Sequence, residues 1–246
     1  VKLEIAVVSA EGAGIAAAEG ADRIELCSSL ELGGITPSQG LMEAAAEQVD
    51  GRLEIHPLIR CRPGDFSYSS AELDTMEREI RSLLIQGAHG VVLGALRPGG
   101  ELDIPATRRL AESARNSDPL AQLTFHRAID QTPDAVAAVD VLVDLGFTRV
   151  LSSGQSASVH EGLDTLARMA RRSAGRLQVM AGGGLRIADI PAVKRSGTDA
   201  VHLSAKQKAS PAAPRAFSLG AWNGTDPMAY YVTDAAVVQA ARVACG

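Results

Sequence analysis

The residues best suited to chemistry begin with His126 and Arg127, which close the stretch QLTFHRAID at 122–130. Leu123 and Phe125 alternate there with Gln122, Thr124 and His126, the period-two pattern of a strand with one apolar face. Thr132 and Pro133 follow, suited to the N-cap and first position of a helix. An imidazole and a guanidinium thus stand where a strand gives way to a loop, the edge at which parallel α/β proteins gather their functional groups. Glu25, Arg60 and His202 also lie at or near the ends of apolar-patterned segments. A carboxylate with an imidazole can move protons, and guanidiniums can hold an anion, so Glu25 and His126 are the candidate acid and base and Arg60 and Arg127 the candidate clamp.

The elements that position these groups alternate strand and helix eight times along the chain. Strands are expected near 3–7, 23–27, 53–60, 90–93, 122–126, 149–151, 177–181 and 200–203. Helices are expected over 11–19, 37–49, from 70, 105–114, 133–145, 159–173, 187–195 and 233–244. Thr36 is the expected cap of the second helix, and Ser69 with Glu72 forms a capping box for the third. Residues 205–232, rich in Pro, Gly and Ala, are expected to be irregular. The pattern predicts a single-domain (β/α)8 TIM barrel over residues 1–246. A doubly wound open sheet explains neither the eight units nor the absence of a GxGxxG turn after the first strand.

In a barrel, the parity opposite the apolar one faces the lumen. That parity carries Glu4, Arg23, Glu25, Cys27, Glu54, His56, Arg60, Thr124, His126, Gln178, His202 and Ser204. Glu4, Glu25 and Arg60 can neutralise one another as a structural network, leaving a degenerate barrel with a polar lumen. The alternative is a ligand site at the rim. Arg60, Arg62 and Arg127 there suit a carboxylate or phosphate, with Ser153, Gly183, Gly184 and Ser204 in the turns where many barrels hold phosphate.

Composition narrows the partners. The chain has 246 residues, a formal net charge of −5, 46% hydrophobic and 22% charged residues. That balance suits a globular protein with an ample core and speaks against a nucleic-acid platform, which needs a basic surface. No apolar run approaches the roughly 18–20 residues of a membrane span, and the start VKLEIAVV does not read as a secretory signal. Cys27, Cys61 and Cys245 are odd in number and widely spaced, which suits a reducing cytoplasm rather than a disulfide framework. Cys27, ending the second strand, and Cys61, just after the third, could approach one another and, with His126, offer ligands to Cu(I) or Zn²⁺. Residue types alone favour the simpler reading, that isolated cysteines are small apolar fillers.

ADRIELC with its following GGITPS, IRCRPGDFSYS, TFHRAID, AGGG and YYVTD, taken together, resemble the CutC family of copper homeostasis proteins. The resemblance runs from the first strands to the last helix. It implies a cytoplasmic TIM barrel, homo-oligomeric as a dimer or tetramer, linked to copper tolerance and proposed to bind copper, Cu(I) being the form that suits thiols. The family's lumen and rim positions correspond here to Glu25, Cys27, Arg60, Arg62, Asp65, His126, Arg127 and Asp130. The chain departs from the family pattern at Cys61, where proline is usual, at Gln155, which replaces a glycine, and in HLSA at the eighth strand. The shared rim is chiefly Glu, Arg and His. That chemistry suits an enzyme handling a small anion better than a Cu(I) carrier.

Overall fold

A computed structural model describes residues 1–209 and 230–246. The core is eight parallel strands: β1 (Lys2–Val7), β2 (Arg23–Leu26), β3 (Glu54–Pro57), β4 (Gly90–Leu93), β5 (Gln122–Phe125), β6 (Arg149–Ser152), β7 (Gln178–Gly182) and β8 (Ala200–Leu203). Around them lie α1 (Ala10–Ala18), α2 (Gln39–Val49), α3 (Ser70–Ile85), α4 (Ile104–Ser117), α5 (Ala135–Asp144), α6 (Val159–Ser173), α7 (Ile190–Arg195) and α8 (Ala235–Cys245). The strands run in the order β3-β2-β1-β8-β7-β6-β5-β4. The ring closes where Leu58 bridges Val92 and Ile59 N donates to Val92 O at 2.8 Å. This is the (β/α)8 barrel that the alternation predicts.

Parity explains the two cores. Leu3, Ile5, Val7, Ile24, Leu26, Ile55, Leu123, Phe125, Val150 and Val179 face outward and join the helices in the main apolar core. The opposite parity fills the lumen, partly with two small apolar clusters, Cys27–Leu58–Val92 and Leu151–Met180–Ala200. The remainder of the lumen is polar.

Local capping follows the sequence in one helix and departs from it in two. Ser69 and Glu72 form the expected capping box on α3. At α2 the cap is Ser38, not Thr36, because Pro37 stands between Thr36 and the helix and the Thr36 hydroxyl is engaged elsewhere. It donates to Glu79 at 2.8 Å and accepts from Arg60 N at 2.9 Å. Before α5 a 3-10 turn, Arg127–Gln131, intervenes, so Thr132 bonds back to Ile129 O at 2.7 Å and Asp134 becomes the cap.

The expectation of an irregular 205–232 is corrected at both ends. β9 (Lys206–Ala209) and β10 (Tyr230–Thr233) pair antiparallel, with Lys206 Nζ 4.4 Å from the centre of the Tyr231 ring. The strand Lys206–Ala209 carries no period-two apolar pattern, so periodicity does not announce this pair. The rest of that expectation, 210–229, lies outside the described residues.

Candidate functional site

The floor of the lumen is a closed polar network. Glu4 is ion-paired with Arg23 on β2 and accepts from His202 Nδ1 on β8 at 2.7 Å, as the strand register requires. Arg149 on β6 donates to Gln178, Thr124 and Gln122 at 3.0, 2.9 and 2.9 Å, and Gln122 passes the chain on to Glu54 at 2.9 Å. Burial alone would raise the Glu4 carboxyl. Arg23, the His202 hydrogen bond and Arg149 outweigh it, and Glu4 sits well below the ordinary carboxylate range. Arg149 is a residue that sequence reasoning missed. Its signal was available: it shares the inward parity of Leu151, with Val150 between them on the outer face.

Above this floor the ends of the strands form a cleft of about 160 Å³ lined by Glu25, Arg60, Phe66, His126, Arg127 and His202, among others. His202 Nε2 lies 3.7 Å from Glu25 Oε2, so the imidazole stands between two carboxylates. Burial pushes Glu25 up to about 7, the neighbouring His202 opposing and Glu4 adding. Burial works against charge on His202, but Glu25 and Glu4 overcome it and the imidazole is raised above its ordinary value. A carboxyl near neutrality beside an imidazole raised above its ordinary value has the chemistry to exchange a proton. The sequence placed His202 at the rim but gave the second acid–base role to His126.

His126 has a different character. Its Nδ1 accepts from Ala128 N at 3.2 Å, so in the neutral ring the proton sits on Nε2. Burial, with the Arg60 charge nearby, lowers it to about 3, so it is a neutral donor at physiological pH. Its Nε2 is buried and lacks a hydrogen-bond partner among the described residues.

The guanidiniums are not equivalent. Arg60 donates from Nη1 to the carbonyls of Leu32 and Gly34 and from Nη2 to Gly64, at 3.1, 2.9 and 2.7 Å, and lies 5.1 Å from the Phe66 ring centre. It clamps two mouth loops rather than pairing with Glu4. Arg62 lies outside the cleft, tied to Glu72 and to Asp65, its Nη2 3.0 Å from Asp65 Oδ1. Arg127 is 43% exposed at the mouth, donating to Asp130 and to Ser153 Oγ, both at 2.9 Å.

The donor-rich turn after β6 is already filled. Asp130 accepts from Ser152 Oγ at 2.5 Å, Ser153 N at 3.0 Å, Ser153 Oγ at 2.9 Å and Gln155 N at 3.2 Å. Ser153 therefore serves the protein's own carboxylate. Gly183, Gly184 and Ser204 instead line a wider cleft of about 580 Å³ that shares Arg127, His202 and Ser204 with the inner one. Gly183 has φ +106°, and a Cβ there would fall 2.6 Å from Arg127 Cζ, so glycine is what lets the guanidinium lie across this turn.

The cysteines are not gathered. Cys27 is fully buried against Leu58 and Val92, and burial, with Glu25 and Glu31 adding, holds its thiol well above the ordinary value. Cys61 packs at the edge of the main core instead, its thiol likewise raised by burial. Among the described residues no group of three or more His, Cys, Asp or Glu side chains is arranged to hold a metal ion. No helix among them is long and apolar enough to cross a membrane.

Known proteins fit this picture. Residues 1–207 match the CutC family as a whole. A CutC family protein of Caulobacter vibrioides is 39% identical over 243 residues, covering 98% of this chain and 96% of the relative. One of Rhizobium meliloti is 43% identical over 205 residues, covering 83% and 81%. The solved CutC of Streptococcus agalactiae, named for copper homeostasis, superposes with a TM-score of 0.77 at 27% identity, covering 82% of this chain and 97% of its own. A 3-hexulose-6-phosphate synthase matches over 100% of both chains with a TM-score of 0.61, but at 18% identity it shares the fold alone. Barrel, motifs and relatives agree: the chain belongs to the CutC family.

Proposed function

We propose that the barrel mouth binds a small anionic metabolite and moves a proton on it, Glu25 and His202 exchanging that proton while Arg127 and the Gly183–Gly184 turn hold the anionic group. The observation that carries this reading is Glu25: a buried carboxyl 3.7 Å from an imidazole, poised at about 7, in a cleft that a guanidinium also lines. A purely structural network would leave such a group paired, as Glu4 is.

Copper homeostasis is the role attached to the Streptococcus agalactiae relative. Here Cu(I) would have to draw on Cys27, Cys61 and His126. The donors do not fit it. Cys27 has no exposure and a thiol that resists ionisation, Cys61 belongs to a different cluster, and His126 Nδ1 is occupied by a backbone N–H. Among the described residues these three donors therefore do not form a copper site at this mouth.

The test is a thermal shift with phosphate, sulfate and small phosphorylated metabolites. A ligand at a hundredfold excess over Kd stabilises the folded state by about 2.7 kcal/mol, a readily measured rise in melting temperature. Arg127→Ala is expected to lose most of that rise and Glu25→Gln to keep it. Absence of protection at millimolar concentrations, or equal protection of Arg127→Ala, sinks the reading.

A further inference from the structure

Two buried donors remain unused at the inner cleft. His126 can donate only through Nε2, because Nδ1 accepts from Ala128 N, and Nε2 has no partner among the described residues. Arg60 spends both terminal nitrogens on the carbonyls of Leu32, Gly34 and Gly64, and its buried Nε is likewise without a partner among the described residues. Phe66 joins the two, 4.7 Å from the His126 ring centre and 5.1 Å from Arg60 Cζ. An unpaired buried donor destabilises the fold, so two at one cleft indicate an acceptor that arrives with the ligand.

The rest of the lining limits the chemistry. Glu25 and His202 line the same cleft, and among the described residues neither a lysine nor a cysteine does. A Schiff base or a thioester therefore has no nucleophile there. A carboxylate lining the same cleft as a neutral imidazole donor and a guanidinium donor, with an anion clamp alongside, can remove a proton beside a carbonyl and hold the oxygen on which charge develops.

We infer that the inner cleft enolises a short carbonyl compound bearing a phosphate or carboxylate, with Glu25 as the base and His126 Nε2–H, assisted by Arg60 Nε–H, as the electrophile on the carbonyl oxygen. This rests on the acid–base reading of the mouth and specifies its substrate class. The C–H bond next to the carbonyl breaks and its proton passes to a Glu25 oxygen. The released pair forms the C=C bond, and the carbonyl π pair moves onto oxygen, where the two N–H groups receive it. Return of the proton to the same carbon restores the substrate. Where the neighbouring carbon bears a hydroxyl, delivery of the proton to the former carbonyl carbon, with the hydroxyl proton passing to the former carbonyl oxygen, gives the isomeric aldehyde or ketone. No oxidant, reductant or second substrate is consumed.

The experiment follows proton exchange in D2O by NMR, with dihydroxyacetone phosphate, glycolaldehyde phosphate and pyruvate as probes, and thermal shift on the same compounds. Wild type is expected to be protected by one or more probes and to speed its α-hydrogen exchange at least tenfold over the protein-free rate. Glu25→Gln, purified identically, should bind but not exchange. His126→Phe should bind within a few-fold and exchange about 10²–10³-fold more slowly, the usual loss for an oxyanion donor. His126→Gln, which keeps an N–H, should recover part of the rate. Protection without exchange, or full-rate exchange by His126→Phe, overturns enolisation and leaves the anion site standing. Absence of protection by any probe, phosphate and sulfate included, removes both. If His126→Phe does not fold, wild type, Glu25→Gln and His126→Gln still decide the matter.

Discussion

Glu4 and Glu25 differ in what stands within hydrogen-bonding reach, although both are buried in the lumen. Glu4 has a guanidinium and an imidazole on it, and among the described residues Glu25 has only the far side of that imidazole, at 3.7 Å. Burial therefore wins at Glu25, and its ionised form is a cost to the fold that a proton-transfer role explains. The sign is definite. Between the ordinary carboxylate value of 4.5 and about 7, folded Glu25 keeps a proton that the unfolded chain has released, so its contribution to stability falls as pH rises through that window. Glu25→Gln should therefore gain on wild type from pH 4.5 to 7 and level off above, by on the order of 1–3 kcal/mol. Urea melts of both proteins at several pH values check it, and a pH-independent difference would mean that Glu25 is not raised.

Among elements, the joint between the β6 turn and α6 governs the geometry of the mouth. Asp130 fills that turn and at the same time holds Arg127 over Gly183. Asp130→Ala should lower stability by about 1–3 kcal/mol, because buried N–H and hydroxyl donors lose their acceptor. Formate should restore part of it in melting experiments, by re-entering the turn. Failure of formate to stabilise the variant more than wild type would show that the turn collapses rather than holding an anion. The helix packs onto the turn through backbone alone: a Cβ on Gly162 would lie 1.8 Å from Ser153 O, and one on Gly154 would lie 2.1 Å from Gly162 O. Gly162→Ala is thus expected to destabilise by about 1–3 kcal/mol, visible as a lower urea midpoint. An unchanged midpoint would mean that α6 can withdraw without cost.

For the whole molecule, ring closure matters most, since it brings His202 on the last barrel strand against Glu4 on the first, 198 residues apart. The two thiols pack in different clusters, Cys27 in the lumen and Cys61 against the outer core. A copper role that depended on thiolates would need both. Replacing Cys27 and Cys61 together by Ser should leave Cu(I) affinity, measured by competition with a chromophoric chelator, unchanged within about threefold, which is under 1 kcal/mol. A fall of tenfold or more would reinstate the thiol site.

The sequence by itself determined the barrel, the Ser69–Glu72 cap and the inward set that holds Glu4, Glu25, Cys27, His56 and His126, because these follow from periodicity and short-range spacing. Its motifs also carried the family. Only the tertiary structure decided which inward group meets which. Period two assigns a side of the strand but not the partner, and a guanidinium arm reaches past its own register. Arg60 therefore turned to loop carbonyls, Arg62 outward to Glu72 and Asp65, and Arg149 into the floor. The division of labour between the imidazoles was equally out of reach. A neutral donor at His126 and a raised imidazole at His202 depend on a backbone N–H two residues away in an unforeseen 3-10 turn, and on carboxylates from β1 and β2. Protonation is set by the neighbours that burial leaves, and those neighbours are assembled by closing the ring.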